Sequence, residues 1–115
     1  MQGTPPDSDV QLDPGAVRAF VAMVGGDREV VAEFVDEFLA EAPQRLAEMR
    51  SPDPVLAGRA AHTLKSNALT FGATELAELC RQIELAARDD EIPQETVERA
   101  GEAWARVRPE LAGLR

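Results

Sequence analysis

Residues 56–72 read LAGRAAHTLKSNALTFG, and the spacing of apolar residues in this stretch decides the fold. At the ~100° turn per residue of an α-helix, one stripe collects Leu56, Ala57, Ala60, Ala61, Leu64, Asn67, Ala68 and Phe71. His62 is the only histidine of the chain, and it falls about 170° from the centre of that stripe. The stretch therefore predicts an amphipathic helix that buries the stripe and exposes His62.

Small or cationic residues occupy the positions one helical turn from His62. Gly58 at i−4 and Ser66 at i+4 leave room for a second macromolecule to approach the imidazole ring. Lys65 at i+3 brings an ammonium group beside it. An exposed imidazole near a cation suits a nucleophile that accepts an anionic group, such as a phosphoryl group. The spacing His-x-x-Lys alone is more typical of a surface histidine that happens to lie beside a lysine.

The segments HTLKS (62–66) and FGA (71–73) together resemble the pattern of the histidine-containing phosphotransfer (HPt) domain family. That pattern is His-x-Leu-Lys-Gly followed by a glycine, here Gly72, six residues further on. The likeness continues into residues 76–84, LAELCRQIE, and spans the chain from about Pro14 onward. Ser66 is the one departure, since glycine is commonest there, but serine is also small and affects only how closely a partner approaches.

The resemblance implies a role for His62 and for several residues around it. His62 would take a phosphoryl group from a phospho-aspartate of one receiver domain and deliver it to an aspartate of another, while Lys65 steadies the phosphoryl oxygens. Arg81 and Glu84 on the following helix could turn toward His62, and Glu84 could accept from its second ring nitrogen and fix the tautomer. As solvated surface charges, Arg81 and Glu84 would need no role.

The resemblance also implies the partners of the chain. These are response regulator receiver domains and a histidine kinase, which can be of the hybrid type. The receiver would supply Mg²⁺ and the acidic pocket, so we expect this chain to need no cofactor and no metal of its own. Leu69 falls within about 20° of His62, two turns further along the exposed face. We therefore predict that Leu69, Gly58 and Ser66 belong to the surface on which a receiver docks.

Composition bounds the class of protein. With 115 residues the chain is long enough for one domain, and we expect it to be monomeric. Twelve Lys and Arg against 21 Asp and Glu give a net charge of −9, which disfavours nucleic acid as a partner. Neither a signal peptide nor an apolar run of membrane-spanning length is present, so we expect no membrane association and a cytoplasmic location. The single Cys80 is expected to be a buried thiol.

The first half of the chain predicts two helices after a tail. Residues 1–12 are polar and are predicted to be a disordered tail, with the domain covering 13–115. Asp13-Pro14 starts a short helix that Gly25-Gly26 ends. Asp27 caps a long amphipathic helix that runs to about Met49, and Pro43 inside it predicts a kink.

The second half predicts three further helices. The prolines of residues 51–54 separate the long helix from the His62 helix, which Gly72 ends. Thr74 is predicted to cap the next helix, whose inward residues are Leu76, Leu79, Cys80, Ile83 and Ala87. The last helix carries an apolar seam of Val97, Ala100, Trp104, Val107, Leu111 and Leu114. No segment alternates with the period of a strand, so the fold class is all-α, an antiparallel up-down four-helix bundle with a short extra N-terminal helix.

Two other functions remain open on the sequence. The chain could be a structural helical adaptor in which His62 is incidental, or a fragment of a hybrid histidine kinase without independent activity. It contains no glycine-rich nucleotide-binding loop and no P-loop lysine. We therefore expect a phosphotransfer intermediate that is not an enzyme and has no autokinase activity.

Overall fold

A computed structural model describes residues 10–115 of the chain as five α-helices with no strand. The helices are α1 (Pro14–Met23), α2 (Arg28–Met49), α3 (Pro54–Thr70), α4 (Thr74–Arg88) and α5 (Gln94–Ala112). Within this part of the chain no helix is both long and apolar enough to cross a membrane. Most of the predicted tail, residues 1–9, lies outside the described residues.

Aspartates begin the first three helices, as the sequence predicts for Asp13 and Asp27. The Asp13 carboxylate accepts a hydrogen bond from the Ala16 amide, and Asp27 caps α2 in the same way. Asp53 does so at α3, where its carboxylate accepts from the Val55 amide. Each bond satisfies a backbone donor that has no partner inside the helix.

The turn between α3 and α4 confirms one prediction and corrects another. Gly72 has φ +72°, the left-handed conformation that ends a helix and that glycine adopts without strain. The residue that precedes α4 is Ala73, and no side chain caps the helix. The prediction that Thr74 is the cap was therefore wrong by one residue, because Thr74 is already the first residue of α4.

Four helices pack in a ring in which each contacts its neighbours. Helix α3 packs against α2 and α4, and α5 packs against the same two helices from the other side. The short α1 packs against α3. Helix α2 continues through Pro43, although proline has no amide hydrogen to donate to the preceding turn. Pro43 lies on the exposed side of α2, and the loss of this one hydrogen bond does not end the helix. The predicted all-α four-helix bundle with a short N-terminal helix is confirmed.

An aromatic cluster joins α1 to the bundle core. The Phe71 ring lies 4.8 Å from the Phe20 ring of α1 and 5.8 Å from Phe38 of α2, centroid to centroid. Trp104 of α5 adds a further contact, its ring centroid 5.1 Å from that of Phe38. Contacts between aromatic rings stabilise a fold by more than the burial of their apolar surface alone would. The cluster fixes the end of α3 that lies beyond His62.

Two apolar residues lie where the sequence did not predict them. Leu56 was assigned to the core stripe but is 38% exposed, because it sits in the first turn of α3, at an end of the bundle. Leu12 was assigned to the tail but is only 5% exposed. The Glu110 carboxylate of α5 accepts hydrogen bonds from the Gln11 and Leu12 amides, which holds this segment on the bundle. Residues 11 and 12 therefore lie against the bundle.

Candidate functional site

His62 is the ninth of the 17 residues of α3 and points away from the core. Its side chain is 61% exposed, as the periodicity predicted. The residues on either side of it in sequence are turned inward, with Ala61 fully buried and Thr63 half-buried. A partner can therefore reach the imidazole while the backbone beneath it stays fixed by the packed face of α3.

Glu84 of α4 joins His62 and Lys65 of α3 through one carboxylate. The His62 Nδ1 lies 2.8 Å from Glu84 Oε2, and the Lys65 Nζ lies 2.7 Å from Glu84 Oε1. The Glu84 side chain is only 16% exposed, so the carboxylate sits below the imidazole and not beside it in solvent. The sequence is compatible with Glu84 as a free surface charge, but the structure brings its carboxylate into contact with His62.

The environment of Glu84 favours its ionised form. Burial raises the pKa of this carboxyl group, but the hydrogen bonds from Lys65 and His62 together outweigh burial, and the pKa is lowered. An ionised carboxylate can only accept hydrogen bonds, so the proton of a neutral His62 ring belongs on Nδ1. The ring nitrogen Nε2 then carries the lone pair. Within residues 10–115 nothing hydrogen-bonds to Nε2, which leaves it available to a reacting group.

Lys65 is close to His62 but is not a free charge. Its side chain is 24% exposed, and one of its three ammonium hydrogens is used in the bond to Glu84. Two donors remain for an incoming anion. Before the reaction, the positive charge of the Lys65 ammonium and the negative charge of the Glu84 carboxylate balance each other. The site therefore holds no unpaired charge until an anionic group arrives.

Arg81 does not contact His62 in the structure. Its guanidinium forms an ion pair with Glu78, one turn earlier on α4, with Nε 3.0 Å from Oε1. Hydrogen bonds from Arg81 and Gln82 lower the pKa of Glu78 to about 2. The predicted role of Arg81 near His62 stays a prediction, and its observed partner is the one expected of a surface charge.

The two small residues beside His62 differ in what they contact. The Ser66 hydroxyl donates to the His62 carbonyl oxygen at 3.3 Å and stays folded against its own helix. Gly58 faces α4, where a Cβ added to it would lie 2.9 Å from the Ala87 Cβ. Gly58 therefore permits close packing of α3 on α4, which the sequence did not indicate because Ala87 is distant in the chain.

Leu69 lies on the exposed face, as predicted, with 57% of its surface exposed. It lines a shallow groove between α3 and α4 together with Lys65, Ala77 and Arg81. A larger cleft of about 470 Å³ lies on the N-terminal side of His62 along α3. Val55, Arg59 and Arg88 line that cleft, and the sequence analysis did not single out any of them. His62 thus stands between two depressions of the α3–α4 surface.

Comparison with known proteins identifies the family. The family model described as Hpt domain matches residues 33–114. The chain belongs to the Hpt domain family. The match contains both helices of the site, including His62, Lys65 and Glu84. Histidine phosphotransfer in a phosphorelay is therefore the function of this chain, and receiver domains and kinases of phosphorelays are its partners.

A solved structure has the same fold. The histidine-containing phosphotransfer protein B (HptB) from Pseudomonas aeruginosa PAO1 is 22% identical to this chain and superposes with a TM-score of 0.79. The superposition covers 96% of this chain and 95% of HptB. It therefore includes the ring of four helices. No curated protein matches the sequence.

Proposed function

We propose that His62 is the phospho-acceptor and that Nε2 is the reacting atom. The observation that carries the proposal is the hydrogen bond between Nδ1 and the half-buried Glu84 carboxylate, which leaves the lone pair on the exposed side of the ring. The Nε2 lone pair attacks the phosphorus of a receiver phospho-aspartate. The bond from phosphorus to the aspartyl oxygen breaks, and the aspartate leaves as a carboxylate.

Glu84 acts in this step as a positioning residue. The ring becomes a phospho-imidazolium as Nε2 bonds to phosphorus, and its Nδ1–H stays hydrogen-bonded to the carboxylate. That contact stabilises the positive charge developing on the ring and keeps the ring from rotating. No proton has to be removed from His62, so the site requires no general base.

Lys65 supplies charge stabilisation for the transferred group. Its two unused ammonium donors can turn to the phosphoryl oxygens while the third holds Glu84. The receiver brings Mg²⁺ and the acidic pocket, so this chain has no cofactor of its own in the reaction. The reverse step uses the same contacts. A carboxylate oxygen of a second receiver attacks phosphorus, the bond from phosphorus to Nε2 breaks, and neutral His62 is restored.

The surface around His62 receives the receiver domain. Leu69 is a large apolar side chain without a core to serve, and Ser66 keeps the approach to the ring open. We assign both to the docking face. The role first proposed for Gly58 changes, because bulk at that position would disturb the packing against Ala87 before it met a partner. We also propose that the chain acts as a cytoplasmic monomer without autokinase activity.

The test is transfer from a phosphorylated receiver. Purified receiver domains carrying labelled phospho-aspartate are incubated with the chain, and label on the chain is expected to be acid-labile and base-stable, as phosphohistidine is. His62→Gln should abolish labelling and leave the melting temperature nearly unchanged, because the side chain is exposed. Retained label on His62→Gln would remove His62 as acceptor.

Two further incubations separate the alternatives. ATP alone should give no label, whereas labelling by ATP would indicate an autokinase. A wild-type chain that takes no label from any receiver in a broad panel would instead favour a structural adaptor. The receiver that exchanges most rapidly becomes the cognate partner for the experiments below.

A further inference from the structure

The cleft on the N-terminal side of His62 has a basic rim and an apolar floor. Gly58 and Ala87 approach closely at its base, and Val55, 60% exposed, lines its side. Arg59 stands one turn before His62 on α3, and Arg88 stands one turn after Glu84 on α4. The cleft therefore places two guanidinium groups next to the proposed reaction site.

These two arginines differ from the other basic residues of α3 and α4. Arg59 and Arg88 are both exposed, and within residues 10–115 neither forms an ion pair or a side-chain hydrogen bond. Arg81 and Lys65, by contrast, are each paired with a carboxylate. Two uncompensated cations thus lie at one place on a chain whose net charge is −9.

The negative net charge of the chain makes the position of these two arginines important for the binding of a receiver domain. A receiver presents an acidic pocket around its aspartate, and an acidic chain repels such a surface at long range. Two unpaired guanidinium groups on the rim attract an acidic surface at the place where the two reactive groups must meet, which favours a faster and oriented encounter. The apolar floor can then be covered by the docked partner.

We propose that Arg59 and Arg88 are docking residues that contact the acidic rim of the receiver's phosphorylation pocket over this cleft. The inference rests on the proposed function, since it places the receiver at His62. It extends the docking face from Leu69 on one side of His62 to the arginine pair on the other. The transferring phosphoryl group then lies between the two contacts, in line with Nε2.

The experiment compares two variants with the same change in net charge. Arg59→Gln/Arg88→Gln removes the proposed contacts. The matched control is Arg99→Gln/Arg108→Gln, which removes two exposed arginines of α5. Helix α5 lines no part of the cleft, and within residues 10–115 neither Arg99 nor Arg108 forms an ion pair. Binding of the cognate receiver is titrated for each variant in low and high salt, with circular dichroism as the check of folding.

The expected result is selective and depends on salt. In low salt the Arg59→Gln/Arg88→Gln variant should bind about tenfold more weakly than wild type, mainly through slower association, and the control should change less than about threefold. At roughly 1 M salt, where the screening length falls to about 3 Å, the difference between the variants should largely disappear. Equal binding by both variants, or a loss that persists in high salt, would overturn the proposal.

Two further measurements keep this proposal distinct from the role of His62 and from a small-molecule site. Phosphoramidate can phosphorylate an imidazole without a receiver, releasing ammonia. If it labels wild-type His62 while the arginine pair proves irrelevant to receiver binding, only the docking proposal fails. If neither phosphoramidate nor any receiver labels the chain, the proposed function fails. Inorganic phosphate is also titrated, and saturable binding lost only in Arg59→Gln/Arg88→Gln would identify a small-anion site and overturn receiver docking.

Discussion

Replacing Gly58 with alanine should strain the contact between α3 and α4. The new Cβ would lie 2.9 Å from the Ala87 Cβ, whereas carbon atoms in favourable contact are about 3.5–4.0 Å apart. The Ala87 methyl is fixed to the backbone, so one helix must move by roughly 0.6–1.1 Å to restore that separation. Overpacking of this kind costs about 1–3 kcal/mol. The higher helix propensity of alanine returns about 1 kcal/mol.

The net expectation is a loss of about 0–2 kcal/mol in the free energy of unfolding, or a fall of up to roughly 8 °C in melting temperature. Gly101→Ala in α5 is the matched control, because its Cβ would meet only the flexible end of Arg50, at 3.4 Å. That variant should gain up to about 1 kcal/mol. Urea denaturation followed by circular dichroism measures both, and the two alanine variants should differ by about 1–3 kcal/mol.

A double-mutant cycle isolates the contact itself. Ala87→Gly alone should cost about 1 kcal/mol of helix propensity, but combined with Gly58→Ala it removes the close approach and should recover most of the strain. If Gly58→Ala stabilises the protein as much as Gly101→Ala does, the packing role of Gly58 is refuted. Phosphoryl transfer that falls without any loss of stability would return Gly58 to the docking face.

Three further substitutions or treatments test the site and its surroundings. Lys65→Ala should slow transfer to His62 without preventing it, because in the proposed reaction the ammonium is only one of several electrostatic contacts to the phosphoryl group; an unchanged single-turnover rate would show that Lys65 has no part in the reaction. Leu69→Glu should raise the dissociation constant for the cognate receiver by roughly tenfold, about 1.4 kcal/mol, with helicity unchanged, and equal binding in the titration would place the docking face elsewhere. Cys80 should resist alkylation at neutral pH in the folded protein, because burial raises the pKa of its thiol to about 12. Rapid modification measured by mass spectrometry under native conditions would contradict its burial.

Periodicity was sufficient to predict the features that depend on one helix alone. The exposure of His62 and Leu69 and the burial of Cys80 follow from the rotation of about 100° per residue, which needs no knowledge of the neighbouring helix. The helix starts at Asp13 and Asp27 were equally local, since a capping carboxylate bonds to amides two or three residues away. Features of this kind can be predicted because the residues that determine them are close together in the sequence.

Contacts between elements could not be read in the same way. That Glu84 bridges His62 and Lys65 depends on the depth and rotation of α4 against α3, which the pattern of apolar residues fixes only approximately. Asn67 was assigned to the core stripe, yet it is half-buried and donates to Glu41 of α2 at 2.6 Å, which places it at the margin of the core.

The misplacement of Leu12 has a related cause. A short segment with few apolar residues cannot order itself, but the Glu110 carboxylate accepts its amide hydrogens from the opposite end of the sequence. No local pattern reveals a partner 98 residues away. The end of a distant helix therefore satisfies backbone donors that the segment could not satisfy by itself.

The hydrogen bonds of Gln11 and Leu12 to Glu110 place the first described residues and the end of α5 at the same end of the bundle. The Asp13 amide donates to the Gly72 carbonyl oxygen at 2.8 Å, so residues 11–13 lie between the α3–α4 turn and the last turn of α5. His62 lies ten residues before Gly72, roughly 15 Å away along the axis of α3. A fusion partner attached after Arg115 would therefore leave from the end of the bundle opposite the Arg59 cleft. The α3–α4 surface around His62 would stay open to a freely diffusing protein even when that end of the bundle is anchored.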